Sequence, residues 1–302
     1  MDLKSLEYFV RVAEFGSITR AAQDIGIAQP ALTRSLRRLE AALGTQLLVR
    51  LPRGVRLTSA GREFAVRAAR IASDIALARD RLPRKEGSGS ERVILGTSPT
   101  LAHVLVPGII LRVTHNSPSI QLKVVEGFSG QLHEALSSGR LDVAVMTNPL
   151  AARSLALTPL LAEPIMLLLP SSQAEGRRSV SLADLANIPL IMTTGLRSIV
   201  EEQLARFAAP LTVQMEVDAV EAIRRLLLSG TGATLMPVSV FHRDIVAGKI
   251  SACTVEGANL HRLLVLASRA DRRYSSATEE VITIIRAEID ALLAQGVFNE
   301  RA

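Results

Sequence analysis

Tryptophan is missing from these 302 residues, cysteine occurs once, and aromatic residues together make up 3% of the chain. So few rings exclude a single-strand nucleic-acid platform, which stacks bases on aromatic side chains. The lone Cys253 has no partner for an internal disulfide and reads as a packed core residue. No apolar run reaches the about 18 residues that span a bilayer. The amino terminus leads straight into a helical pattern without a signal peptide, so the expectation is no membrane and a reducing, cytoplasmic location. The histidines His103, His115, His133, His242 and His261 show neither metal-ligand spacing nor a neighbouring cysteine, and no metal or other cofactor is expected. Gly127-Phe128-Ser129-Gly130 is one residue short of a nucleophile elbow, and Gly230-Thr231-Gly232 follows a helical pattern where a dinucleotide loop needs a strand. An enzyme is not indicated.

What the chain has is 48% hydrophobic and 21% charged residues, an ordinary composition for a folded protein with room for two or three cores. The charge is uneven. Residues 1–92 hold 17 Lys and Arg against 10 Asp and Glu, whereas the remainder holds 18 against 19. In the basic part, Leu6, Phe9, Val10 and Ala13 form one apolar stripe, and Ile18, Ala21, Ala22 and Ile25 a second, on either side of Gly16-Ser17. After the break at Gly26, Leu32, Leu36, Leu39 and Leu43 lie on one face of a third helix that stops at Gly44. The opposite face carries Gln29, Thr33, Arg34, Arg37 and Arg38. A helix greasy on one side and arginine-rich on the other, after a short helix, suits a DNA major groove. Gln46 to Arg50 and Arg53 to Thr58 read as two strands around a basic turn, which makes the unit a winged helix-turn-helix. Excess positive charge at this end serves phosphate neutralisation.

These residues resemble the amino-terminal domain of LysR-type transcriptional regulators. The likeness runs through Leu6 and Phe9, Gly16-Ser17-Ile18-Thr19-Arg20-Ala21-Ala22, Gln29-Pro30-Ala31-Leu32-Thr33-Arg34, Leu39-Glu40, Leu43-Gly44, Leu47, Arg50 and Leu57-Thr58-Ala60-Gly61. Ala28 stands where the family usually has a Ser or Thr cap, a loss of about 0.5 to 2 kcal/mol in local stability. Leu48-Val49 replace the more usual Phe and acidic residue. The resemblance implies a DNA-binding domain over residues 1–58, with Gln29, Pro30, Thr33, Arg34, Arg37 and Arg38 at the groove and Arg53 and Arg56 in the wing. It also implies a homodimer or homotetramer on an interrupted palindromic operator of double-stranded DNA, and RNA polymerase as a partner.

From the cap at Thr58, the residues Phe64, Ala68, Ile71, Ile75, Ala78 and Leu82 recur at alternating intervals of four and three, the spacing of a coiled-coil seam. A dimerisation helix over 59–83, ended by Pro83, is expected. Residues 84–91, with Gly87-Ser88-Gly89-Ser90, then read as a hinge. Beyond it, strands at 93–96, 121–125, 142–146 and 164–169 alternate with helices near 101–115 and 129–138. A second set follows: a strand at 189–192, a helix at about 198–208, a strand at 212–217, a helix at 219–229 and a strand at 233–236. Such alternation implies α/β folding with parallel sheets. Ile282, Ile285, Ile289 and Leu292 form a returning helix. Residues 92–302 thus make two subdomains, one of about 92–162 with 268–302 and one of about 163–267. They resemble the periplasmic-binding-protein-like effector domain of the same family.

Ligands of open sheets sit beyond the carboxyl ends of the strands. That rule selects Ser98, Thr100, Phe128, Ser129, Thr147 and Thr193 around one cleft, with Arg197 as a charge partner, and so a small effector carrying a carboxylate. The alternatives are a DNA-binding regulator without effector, an enzyme, or a solute-binding protein, for which no export signal is present.

Overall fold

The computed structural model describes residues 2–51, 54–80, 91–271 and 273–298. Two compact units divide the chain, Met1–Ser88 with Glu134–Leu141, and Gly89–His133 with Asp142–Ala302.

The first unit opens with helices α1 (Leu3–Phe15), α2 (Ile18–Ile25) and α3 (Gln29–Leu43). Asp2 starts α1 by accepting the Ser5 N–H at 2.8 Å, and Ser17 starts α2 by accepting the Arg20 N–H. The helices stop at Gly16, Gly26 and Gly44. Their apolar stripes meet in one core of Leu6, Phe9 and Val12, Ala21 and Ala22, and Leu32, Leu36 and Leu39. Each leucine so buried contributes about 1.5 to 3 kcal/mol by leaving water. Val12, three residues on from Phe9, is fully buried, while Val10 and Ala13 of the expected stripe are only partly covered.

Strands β1 (Leu48–Leu51) and β2 (Gly54–Leu57) pair antiparallel as the expected wing, with Leu48 opposite Leu57. The wing is tied to the helices at Gly16, whose left-handed φ of 58° turns its carbonyl to the Val55 N–H at 2.9 Å. Helix α4 (Ser59–Asp80) begins at Thr58, which accepts from the Gly61 N–H at 2.9 Å and donates to the Gln46 carbonyl at 2.8 Å. Here the expected seam needs correction. Phe64 packs against Phe9 with ring centroids 5.4 Å apart, and Ala68 is fully buried in the same core, so the opening turns of α4 are covered by α1 within this chain. Ile71 is the first seam position left open, at 43% exposed. Arg53, Leu82, Pro83 and residues 84–90 of the hinge lie outside the described residues, as do the side chains of Ile75 and Ala78.

The second unit opens with β3 (Glu91–Thr97), α5 (Pro99–Asn116) and β4 (Ile120–Glu126), and after α6 (Ser129–Ser137), whose residues from Glu134 on are grouped with the first unit, it resumes with β5 (Val143–Thr147), all in the expected order. Strand β3 pairs in parallel with both β4 and β5. Next comes β6 (Leu155–Pro170), 16 residues where the apolar run 164–169 alone was expected. Then follow α7 (Ser171–Ala174), β7 (Ser179–Val180), α8 (Leu182–Leu185), β8 (Leu190–Met192), α9 (Thr194–Leu204), β9 (Val213–Glu216), α10 (Val220–Leu228), β10 (Thr234–Pro237), α11 (His242–Val246), β11 (Ile250–Val255), β12 (His261–Arg269) and α12 (Ser276–Ala294).

The sheets are mixed rather than parallel throughout. Strand β12 lies antiparallel between β5 and β6, and β10 and β11 run antiparallel to β6. Two cores result. One gathers Val93, Leu105, Val143 and Val281 with Leu264 and Leu266 of β12. The other gathers Leu167, Met192, Val200, Ile223 and Leu235. Strand β6 serves both, facing β12 along its first part and β10 and β11 along its last six residues. The chain therefore crosses between lobes near Glu163 and returns near Arg262, ahead of the return expected at about 268. Ile165 N–H donates to the Leu260 carbonyl at 2.8 Å across that crossing.

Candidate functional site

Two surfaces, one in each unit, carry the candidate residues. In the first unit, α3 starts at Ala28, an extended cap residue with no side-chain bond, whose carbonyl accepts from Ala31 and Leu32. Gln29, Pro30, Arg34, Arg37 and Arg38 are exposed on this helix and Thr33 is half-buried. A groove of about 410 Å³ separates α3 from the wing, lined by Thr33 and Arg37 on one side and Val49 and Val55 on the other. Arg56 is exposed on β2. Two residues that the sequence left without a role, Glu40 and Phe15, make contacts of their own in this unit. Glu40 accepts the N–H groups of Leu47 and Leu48 at 2.8 and 3.0 Å, locking the end of α3 to the start of the wing. Phe15 is flanked by Arg11 and Arg20, each guanidinium 5.7 Å from the ring centre. Arg11 is neutralised by Glu14 at 2.9 Å and Asp24 at 2.7 Å, and the Glu14 bond in particular raises its pKa. Arg20 has no carboxylate partner among the described residues and adds a free cation at the start of α2. The surface offers hydrogen-bond donors and positive charge beside a groove, the combination that a phosphate backbone and base edges take up.

In the second unit, strand ends and helix starts converge on a cleft of about 400 Å³, at the small end of ligand sites. Ser98, Thr100, Phe128, Ser129, Thr147 and Thr193 all line it, and the structure brings these six expected residues together. The hydroxyls have assigned work. Ser129 donates to the Thr147 carbonyl at 2.7 Å, and Thr193 accepts from the Leu196 N–H at 3.2 Å to cap α9. That cap places the start of α9 four residues earlier than the expected Ser198, because helix initiation follows the capping side chain rather than the first apolar residue. Ser98 and Thr147 hydroxyls stand 3.5 Å apart. Asn148, at a φ of 42° that Asn tolerates, binds β12 twice. Its N–H donates to the Leu263 carbonyl at 3.0 Å, and its side-chain oxygen accepts the Leu263 N–H at 2.6 Å.

Arg197 is not brought into the cleft. Its guanidinium binds Glu201 and Glu216, each at 2.8 Å, and these bonds, Glu201 first, raise its pKa. The sequence hid a different pair. Arg262 and Glu163 face each other across β12 and β6, both with no solvent exposure, joined at 2.8 and 2.7 Å. Arg262 also donates to the Thr100 hydroxyl at 2.7 Å, and Glu163 accepts the Ser239 N–H at 3.3 Å, so one buried cluster touches the cleft floor, both crossing strands and the second lobe. A single charge inside each of two otherwise apolar stretches was the available signal. Cys253 is buried, its thiol donates to the Arg177 carbonyl at 3.2 Å, and desolvation raises its pKa. Among the described residues no group of His, Cys, Asp and Glu is arranged to hold a metal, and no helix is long and apolar enough to cross a membrane.

The model of the "Bacterial regulatory helix-turn-helix protein, lysR family" matches residues 3–62, and that of the "LysR substrate binding domain" matches residues 86–290. The HTH-type transcriptional regulator BbuR of Bordetella bronchiseptica is 28% identical, with 98% of this chain and 92% of that protein covered. The SDS degradation transcriptional activation protein of a Pseudomonas species is 31% identical over 94% of this chain and 95% of its own length. Of solved structures, a full-length OxyR variant of Pseudomonas aeruginosa superposes with a TM-score of 0.74 at 23% identity, over 96% of this chain and 94% of that one, a likeness of fold.

Proposed function

The chain belongs to the LysR family of transcriptional regulators, and from that premise we propose how its two surfaces divide the work. It is a DNA-binding regulator controlled by a small-molecule effector and not an enzyme. In our reading it acts in the cytoplasm, where α3 enters the major groove of an interrupted palindromic operator. Gln29, Pro30, Thr33 and Arg34 meet base edges, Arg37 and Arg38 meet the groove walls, and the wing arginines Arg53 and Arg56 meet phosphate. The cleft around Ser98, Thr100, Phe128, Ser129, Thr147 and Thr193 takes the effector, a closing motion of the lobes alters the spacing of the heads on DNA, and RNA polymerase reads the result. The observation that carries this reading is the exposed polar face of α3 beside the groove that Arg37 lines.

Footprinting on the DNA upstream of the chain's own gene tests it. Arg34→Ala is expected to weaken operator binding by about 1 to 3 kcal/mol and to relax discrimination between bases. Protection equal to that of the parent protein removes Arg34 from base reading.

Assembly is proposed as a homodimer, or a tetramer built from dimers, through the part of α4 beyond the head core. Ile71→Glu together with Ile75→Glu places like charges across a symmetric seam and is expected to yield monomers in sedimentation. A double variant that still sediments as a dimer moves the contact elsewhere.

A further inference from the structure

Resting on the reading of the cleft as the effector site, we infer that the effector is an uncharged molecule with acceptor oxygens and an apolar body, rather than the carboxylate that strand-end hydroxyls alone imply. The charged side chains on the lining are Glu202 and Asp218, and neither Arg nor Lys is among the lining residues. Two guanidiniums considered for this role are spent: Arg197 is bound by Glu201 and Glu216, and Arg262 is fully buried against Glu163. An anion entering this cleft leaves water, meets two carboxylates and finds no counter-charge.

At one helix start, the kind of place that favours anions elsewhere, a carboxylate of the chain already sits. The Thr194 N–H at the head of α9 donates to the Asp218 carboxylate at 2.9 Å, with the Thr194 hydroxyl donating to it at 3.2 Å. The Phe128 N–H donates to the Gln131 side chain at 3.0 Å, and α5 begins with Pro99, which has no N–H to give. At the head of α9, Asp218 thus occupies the seat an anionic ligand would take.

What the floor does offer is hydroxyl hydrogens. Thr100 accepts from Arg262 and Thr193 accepts from Leu196, so each has its O–H left for a ligand oxygen. Both are buried and line the cleft. Phe128, Leu196 and Ile199 supply apolar wall around them. A carbonyl, ester, ether or alcohol oxygen set on a compact apolar frame satisfies this arrangement, and each such bond forms without burying charge.

The test uses matched probes on the full-length protein: benzoate with benzamide and benzyl alcohol, and hexanoate with hexanamide and hexanol, followed by ligand-observed NMR titration. The uncharged members are expected to bind at least about tenfold tighter than their carboxylates. Glu202→Gln is expected to narrow that preference by about two- to threefold, since one rim charge is removed. Thr193→Val marks the location by weakening the uncharged probes. Carboxylates that bind more tightly, and lose that binding in Thr193→Val, overturn the inference while leaving the cleft as the effector site. Binding that ignores Thr193→Val, or no binding by any probe, overturns the cleft reading together with the inference.

Discussion

Replacing Arg262 by Met is expected to lower the stability of the second unit by about 3 to 5 kcal/mol, the cost of leaving one member of a buried ion pair without its partner. Glu163 has no solvent contact to fall back on, and removal of the guanidinium also strips the Thr100 hydroxyl of its donor. The double variant Arg262→Met with Glu163→Leu should recover most of that loss, because two apolar side chains of similar volume avoid the desolvation that the pair had to offset. Urea denaturation of the full chain, followed by a probe on the second unit, reads both. A single variant that loses less than about 1 kcal/mol would show that water reaches Glu163 or that the pair contributes no more than one at the surface.

Gly61→Ala is the second large effect. A Cβ at this position would lie 2.0 Å from the Leu47 carbonyl oxygen and 2.9 Å from its carbon, and both obstacles are backbone. That carbonyl also accepts the Thr58 N–H at 2.9 Å, so it cannot swing aside without freeing the start of α4. The expected loss in the first unit is about 3 kcal/mol, at the upper end of what overpacking costs. Because β1 follows directly on Leu47, the wing should move with it, and affinity for duplex DNA should fall at low salt as well as high. An unchanged melting transition of the head would mean that α4 can back away from Leu47 freely.

Much of the first unit was legible because its signals are local. A cap, a stripe at helical spacing and a glycine stop lie within fifteen residues of one another, and the wing announced itself by two apolar stretches around a basic turn. The seam was misread for the opposite reason. Phe64 and Ala68 have the spacing of a coiled coil, but spacing does not say which surface covers a stripe, and α1 reaches it first. In the second unit, the rule that ligands sit at strand ends found six cleft residues without any knowledge of the sheet order. It failed at Arg197, whose counter-ion Glu216 arrives from β9, nineteen residues away. It was silent on Arg262 and Glu163, which are 99 residues apart and meet because β6 and β12 pair. Strand β12 itself escaped notice, since Leu264 to Arg269 are buried one after another and leave no alternation to read.

Cys253 lies inside the second core with its thiol engaged by a backbone carbonyl and its pKa raised by burial. Alkylating reagents attack the thiolate, and a buried, protonated sulfur offers them little of it. The native chain is accordingly expected to be silent toward maleimides and nitroxide reagents while folded. One cysteine introduced at an exposed position on each lobe, Leu150 and Leu228 for example, would take a spin label at those two positions alone, with no need to remove the native residue. The distance between such labels, followed as an effector is added, would report directly how far the cleft closes.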